Sequence, residues 1–381
     1  MPLYVAPASA LFSDAGTVGG ALISIAAAIC GIAFFMNRRS TGDIVALGAP
    51  FLLLALCYVV SLAYKPSFAG FRHLVAVMSV LFLFWYYVKN GWAIRKNPVF
   101  LLGAFLASFL YLAPSLLKIN QKNFDGGMAF YGIAMLLFLI LGNKASTSKS
   151  ATLFVLTFGI ASSIYGYLIN FRMLIVFGIL TFALYILFSR ARSVSRHPRI
   201  VLAAIGLSIV GFIFFYTNIE NSPHLSSINE FLIETTNRSA LSGRQILWPS
   251  IIASILENPL FGLGAGTLPS DIMTTDLSSH NYYLQVALQT GIIGLAIAIW
   301  CVSRAWRVVV GMGDQSAANA LASSLLAVFI VHNATEVIMF QNALRVAIPA
   351  WIVVFIAMST TMAARDLRLS ARSSPPQNPR A

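Results

Sequence analysis

Charge is scarce in this sequence: Asp, Glu, Lys and Arg together make up 10% of its 381 residues, where a soluble domain carries about 25%. With 58% hydrophobic residues and a mean hydropathy of +0.81, that scarcity excludes a water-soluble globule. Acidic residues are rarer still, 12 against 25 basic ones. Cysteine is nearly absent. Cys30, Cys57 and Cys301 sit singly in separate apolar runs with no CxxC pair, which argues against a disulfide framework or a thiolate metal site and leaves them as small core hydrophobes. Residues 1–17 contain no Lys or Arg, so the basic start of a signal peptide is missing and the first apolar run is expected to stay as a span.

What the chain does hold is long apolar runs, at about residues 18–36, 44–64, 73–88, 99–117, 127–142, 151–169, 173–189, 200–217, 284–303, 317–339 and 343–363. Most are long enough to cross a hydrocarbon core of ~30 Å at 1.5 Å per residue. The expected fold is an all-α polytopic membrane protein of about eleven spans. Only Asn170-Phe171-Arg172 separates the sixth run from the seventh, which calls for a tight helical hairpin there. The implied organisation is spans one to eight over 1–217, a loop domain over 218–283, spans nine to eleven over 284–363 and a disordered basic tail over 364–381.

Basic residues in short loops set orientation. If the loop 190–199 is cytoplasmic, alternation puts seventeen of the 25 basic residues on that side and only Asp43, Asp314 and Asp366 of the 12 acidic ones. The net charge of +13 then reflects topology and excludes a nucleic-acid footprint. The amino terminus is expected outside, the carboxyl terminus inside, and the loop 218–283 outward. The basic tail would be drawn to anionic lipid of the bilayer.

That outward loop is too long to be a plain connector. Residues 226–236, with Ile228, Phe231 and Leu232 on one face, and residues 245–257, with Ile251, Ile252, Ile255 and Leu256, predict two helices, the second stopped by Asn258-Pro259. The following Gly262-Leu263-Gly264-Ala265-Gly266 lacks a P-loop lysine and follows no strand, so a structural turn outweighs a phosphate cradle.

Gly243-Arg244 with Trp248, Asn258-Pro259-Leu260-Phe261-Gly262-Leu263-Gly264, His280-Asn281-Tyr282-Tyr283-Leu284 and Gly291-Ile292-Ile293-Gly294 occur in that order. Together they resemble the signature of the O-antigen ligase and O-antigen polymerase superfamily. His332-Asn333-Ala334-Thr335-Glu336 with Asn342 is similar to the exopolysaccharide polymerases of that group. The resemblance implies a GT-C-like membrane glycosyltransferase at the periplasmic face of the bacterial inner membrane. Its donor would be an undecaprenyl-pyrophosphate-linked oligosaccharide and its acceptor a glycan or lipid, with transfer inverting and metal-independent and no cofactor. A chain-length regulator or export machinery would be further partners. The resemblance places catalytic roles on Arg172, Arg244 and His280, although Phe171-Arg172-Met173 departs from the Ser-Arg-Gly common in the family.

The residues can also be read on their own chemistry. Arginines at a dry boundary stabilise a departing pyrophosphate through paired hydrogen bonds. Ser278 or Ser279 is expected to cap the ninth span, which would put His280 in its first turn. The helix dipole disfavours imidazolium there and suits a general base. A purely hydrogen-bonding histidine is the alternative. Arg172 reads equally as a pyrophosphate ligand or a snorkelling anchor. Arg238 reads as a second loop cation or a solvated one. Asn281 and Tyr282 adjoin the histidine as candidate substrate contacts. His332 and Glu336, four apart, are expected on one helix face near Arg345, either as a substrate-binding cluster or with a structural Glu336–Arg345 pair. Arg72 with His73 opens the third span and has only a generic claim. Asp271 and Asp276 near His280 do not form a compact metal-ligand spacing. Trp85-Tyr86-Tyr87, Trp300 and Trp306 read as interface belts. Polymerase and ligase stay open, as does a lipid-linked glycan flippase, although no inverted repeat is visible.

Overall fold

The computed structural model describes residues 16–36, 42–116, 123–143, 148–191, 194, 196–221, 223, 225–236, 243–275, 278–312, 316–341 and 344–373. Among them the chain is helical, with α1 Gly16–Met36, α2 Gly42–Leu47, α3 Ala49–Tyr64, α4 Phe68–Arg95, α5 Pro98–Leu116, α6 Asn123–Asn143 and α7 Ser148–Leu168. Then follow α8 Arg172–Arg190, α9 Pro198–Thr217, α10 Leu225–Thr236, α11 Arg244–Glu257, α12 Tyr282–Trp306, α13 Ala317–His332 and α14 Leu344–Ser373. Each of the eleven apolar runs contains helix, and the run 317–339 leaves it after His332. Seven helices, α4, α6, α7, α8, α9, α12 and α14, are long and apolar enough to cross a membrane. The chain is a polytopic helical membrane protein.

The bundle is built around α14, whose apolar stretch is 83% buried, and α4, which packs against α14, α1 and α3. Trp351 and Phe355 of α14 stack with centroids 5.2 Å apart, and Phe340 stacks on Trp351 at 5.4 Å. At the other extreme, α9 buries only Ile209 and presents side chains such as Phe214, 69% exposed, for lipid to cover. The hairpin between α7 and α8 turns at Asn170, with φ +56°. Glycines let its two helices close: a Cβ on Gly159 would stand 2.9 Å from the Gly178 carbonyl oxygen.

Two helices break where the sequence reads as continuous. Gly291 inside α12 has φ 66° and ψ −167°. The break frees backbone groups that an apolar interior cannot leave unpaired, and the loop before α12 supplies partners. Ile292 N donates to Pro259 O at 2.8 Å, while Leu288 O and Gln289 O accept from Leu263 N at 2.8 Å and Gly264 N at 3.1 Å. The second break ends α13 at His332, although the apolar run continues to 339. Asn333 terminates the helix because its amide competes with the backbone: Nδ2 donates to Phe329 O at 2.7 Å and Oδ1 accepts from Met339 N at 2.9 Å.

Three further expectations are corrected. Helix α14 continues to Ser373, through a tail segment rich in helix-forming Ala, Arg and Leu. Trp85 and Tyr87 are buried, because α4 runs ten residues past Trp85 to Arg95, and Trp85 stacks on Phe34 at 5.7 Å. Trp306 is buried too, its Nε1 donating to Pro198 O at 2.7 Å, whereas Trp300 is 41% exposed.

Gly291→Ala is expected to cost about 3 kcal/mol or more. Beyond its positive φ, the new Cβ would lie 2.1 Å from Leu260 O. Gly206→Ala, in open space on α9, should leave the melting temperature in detergent unchanged, and the pair measured together checks the break.

Candidate functional site

The site forms where the lead-in to α12 crosses the segment that follows α13. Asn281 is the helix cap, its side chain accepting from Leu284 N at 3.0 Å. The same side chain donates through Nδ2 to Ala334 O at 3.0 Å, and Tyr282 N donates to Asn333 O at 2.8 Å. One residue thus both starts a helix and ties it to the opposite segment. Trp248 of α11, fully buried, donates from Nε1 to Ser279 O at 2.8 Å, which fixes the loop helix against this crossing. Arg244, the first residue of α11, follows Gly243, whose φ of 80° suits glycine alone without strain.

These ties bring Arg244, His280 and Glu336 together. His280 Nδ1 stands 3.2 Å from Glu336 Oε2, and Arg244 Nη2 stands 4.0 Å from Glu336 Oε1. Arg244 Nη2 also donates to Thr335 O at 2.9 Å. Side-chain exposures of 19% for Arg244, 31% for His280 and 13% for Glu336 leave the cluster reachable from outside but poorly hydrated. Burial pulls the Arg244 guanidinium below its ordinary pKa, and the Glu336 carboxylate opposes that pull. The guanidinium stays charged, and its buried Nε makes no hydrogen bond among the described residues.

The structure changes the expected setting of His280. It precedes the cap instead of following it, since Asn281, not Ser278 or Ser279, caps α12. The first-turn dipole argument therefore gives way to a hydrogen bond with Glu336. Its φ of +46° is unusual for a residue with a Cβ and aims the ring out of the helix path.

The other candidates fall into different surroundings. Tyr282 is 0% exposed and packs on Phe340 at 5.9 Å, and Asn281 is 0% exposed, so both position the site from within and do not present a surface to substrate. His332 is 2% exposed, its Nδ1 3.1 Å from Tyr131 Oη and its ring 4.4 Å from Phe177. Glu336 does not share a helix face with it, because α13 has ended; Glu336 N instead caps the turn on His332 O at 3.0 Å. Among the described residues, Glu336 lies within hydrogen-bond distance of His280, is paired with Arg244 and has no ion pair to Arg345, which is half-buried on the first turn of α14. Arg172, half-buried, opens α8 five residues before Phe177, whose ring contacts His332. Arg72 is exposed beside His73, whose Nδ1 is 3.0 Å from Ala265 O, and belongs to the glycine-loop side. Arg238, Asp276 and Asn342 lie outside the described residues. Asp271 is occupied as a local cap, accepting from Leu268 N at 2.8 Å.

The glycine loop is a structural turn. Its N–H groups are committed inside the protein, Leu263 and Gly264 to α12, Ala265 N to Ser61 Oγ at 2.6 Å and Thr267 N to Gly264 O at 2.9 Å. Among the described residues no three of His, Cys, Asp and Glu gather into a metal-ligand group. Residues the sequence did not mark as site builders are Trp248, Asn333, Thr335 and Tyr131. All but Tyr131 stand within motifs already noted, and no local pattern announces what they bond.

The fold and site define a multi-pass membrane protein with a cation–carboxylate–imidazole cluster at one end of its bundle. Residues 123–299 match the protein family described as O-antigen ligase. That match supports a place in the superfamily of O-antigen ligases and polymerases, whose members are glycosyl-transferring enzymes. The matched stretch includes Arg172, Arg244 and His280 and ends before Glu336. No curated protein matches the chain.

Asn281→Ala removes a helix cap and a tie across the crossing, and a loss of about 2–3 kcal/mol is expected. Thermal unfolding should show the loss, and Asn281→Asp, which keeps the cap, should recover part of it.

Proposed function

We propose that this protein joins lipid-linked glycan units, transferring a glycan from a polyprenyl-pyrophosphate carrier to the sugar hydroxyl of a second such unit. The observation that carries the reading is the meeting of Arg244 and His280 at one poorly hydrated cluster, inside a chain whose residues 123–299 match the O-antigen ligase family.

The acceptor hydroxyl attacks the anomeric carbon while His280 Nε2 takes its proton. The bond from that carbon to the pyrophosphate oxygen breaks, and the leaving group keeps the electron pair. Direct displacement inverts the anomeric centre. Arg244 meets the charge that develops on the pyrophosphate, where low hydration makes a guanidinium most effective. Arg172, at the start of α8, is the second cation in this assignment, and two arginines serve in place of a divalent ion. An apolar cavity of about 590 Å³ lined by Phe130, Phe158, Tyr165 and Leu174 supports a lipid carrier. Leu174 is two residues from Arg172, so a prenyl chain lodged there would hold its pyrophosphate near the arginines. The charge asymmetry of the sequence supports a periplasmic site, with the amino terminus on the periplasmic side and the carboxyl terminus in the cytoplasm.

The family's description favours a second reading, ligation of a finished glycan to a lipid or other acceptor. The two share every step and differ in the acceptor, so the product separates them. Reconstituted with lipid-linked oligosaccharide, a polymerase yields a ladder of glycan lengths and a ligase one transferred block. Passage of intact donor across the bilayer with no bond cleaved would instead identify a flippase.

In that assay His280→Ala should reduce transfer on the order of 1000-fold. Arg244→Ala should reduce it on the order of 100-fold, with a weaker apparent affinity for donor, and Arg238→Ala should be milder. Full activity in both His280→Ala and Arg244→Ala would sink the assignment. Activity should also persist in excess chelator; its loss and restoration by a divalent ion would contradict the metal-independent step.

A further inference from the structure

We infer that Glu336 is the positioning residue for His280: its carboxylate accepts the imidazole Nδ1–H, leaving the Nε2 lone pair to receive the acceptor proton, while its other oxygen lies beside Arg244. The inference rests on the base assignment for His280 above.

The tautomer follows from the partner. A carboxylate only accepts hydrogen bonds, so the ring nitrogen 3.2 Å from Glu336 Oε2 is the one that carries the proton. In the neutral ring the outer nitrogen is the one left unprotonated. A histidine without such a partner would divide itself between two tautomers, one of them unable to take a proton at Nε2. The carboxylate also stabilises the imidazolium formed once the acceptor hydroxyl has given up its proton, and Nδ1–H stays on the ring throughout.

The pair does not hold itself together. His280 precedes Asn281, and Glu336 follows Ala334 by two residues, and those neighbours are joined by the Asn281 Nδ2 to Ala334 O bond of 3.0 Å. Tyr282 N to Asn333 O at 2.8 Å makes a second tie one residue further on. Glu336 is also seated in the turn by its own N–H on His332 O. Two buried stitches therefore set the distance between ring and carboxylate before either side chain adjusts.

A structural clamp on Arg244 is the competing role for Glu336. The geometry favours His280, since the arginine contact is 4.0 Å against 3.2 Å and Arg244 is already anchored on Thr335 O at 2.9 Å. The shared carboxylate still has a consequence. A pyrophosphate drawn to Arg244 would compete with Oε1 for the guanidinium, and the hydrogen bond to His280 would then be the main tie left to Glu336.

Glu336→Gln tests the inference, because the amide matches the carboxylate in size yet can present its NH₂ to Nδ1. That would move the ring proton to Nε2. The expected result is a fall in kcat on the order of 100-fold with donor KM and melting temperature unchanged. In protein labelled with ¹⁵N-histidine, the resonances removed by His280→Ala should switch from Nδ1-protonated to Nε2-protonated. Wild-type kcat in Glu336→Gln would overturn the inference. A kcat loss accompanied by a lowered melting temperature or raised donor KM, with the tautomer unmoved, would also overturn it and leave Glu336 a clamp. Unimpaired transfer by His280→Ala would mark failure of the base assignment itself, whatever Glu336→Gln shows.

Discussion

The constraint on which this structure depends is that backbone N–H and C=O groups inside an apolar bundle must find partners within the protein. Unbroken helices meet it automatically. The two breaks do not, and each is answered by another part of the chain. At Gly291 the loop Pro259–Gly264 is drawn against α12 to meet its freed groups. After His332 the lead-in to α12 supplies donors from Asn281 and Tyr282. Both breaks therefore recruit the segments that flank the signature residues, and the demand for hydrogen bonds assembles the crossing where Arg244, His280 and Glu336 meet.

Scarcity of charge gives that crossing its character. A protein with 10% charged residues has few competing fields, and a guanidinium placed where water is limited keeps its reach. The cost is desolvation, which here is offset by sharing. Glu336 contacts both Arg244 and His280, and the Thr335 carbonyl adds a neutral acceptor for the arginine. Arg244 Nε is left without a partner among the described residues, a poor arrangement for stability alone.

Much of the architecture was legible because hydrophobicity by itself specifies a span. Every apolar run contains helix, and the helices predicted at 226–236 and 245–257 appear as Leu225–Thr236 and Arg244–Glu257. Arg244 and His280 stood out because they lie in the one long polar interruption of the chain and within the motifs that carry the family resemblance. Less legible were features that depend on competition between near-equal local choices. Ser278, Ser279 and Asn281 are all good caps, and the winner was Asn281 because its Nδ2 also reaches Ala334 O. Nothing in 317–339 marks a helix end, since Asn333 acts only once Met339 N has folded back to it. Trp85 and Tyr87 looked like a span end because the apolar run was read as stopping there, whereas α4 extends to Arg95.

By itself, the sequence determined the class of the protein, its helices and the loop in which chemistry concentrates. Those follow from composition and from spacing along the chain, which need no knowledge of what lies across the bundle. Only the tertiary structure decided which charge meets which. Glu336 is 56 residues from His280 and on the far side of two helices, and Arg345, nearer in sequence, was the partner that spacing suggested. A hydrogen bond between distant segments depends on where backbone breaks allow them to cross. That crossing is set by which buried polar groups must be satisfied, and no local pattern encodes it.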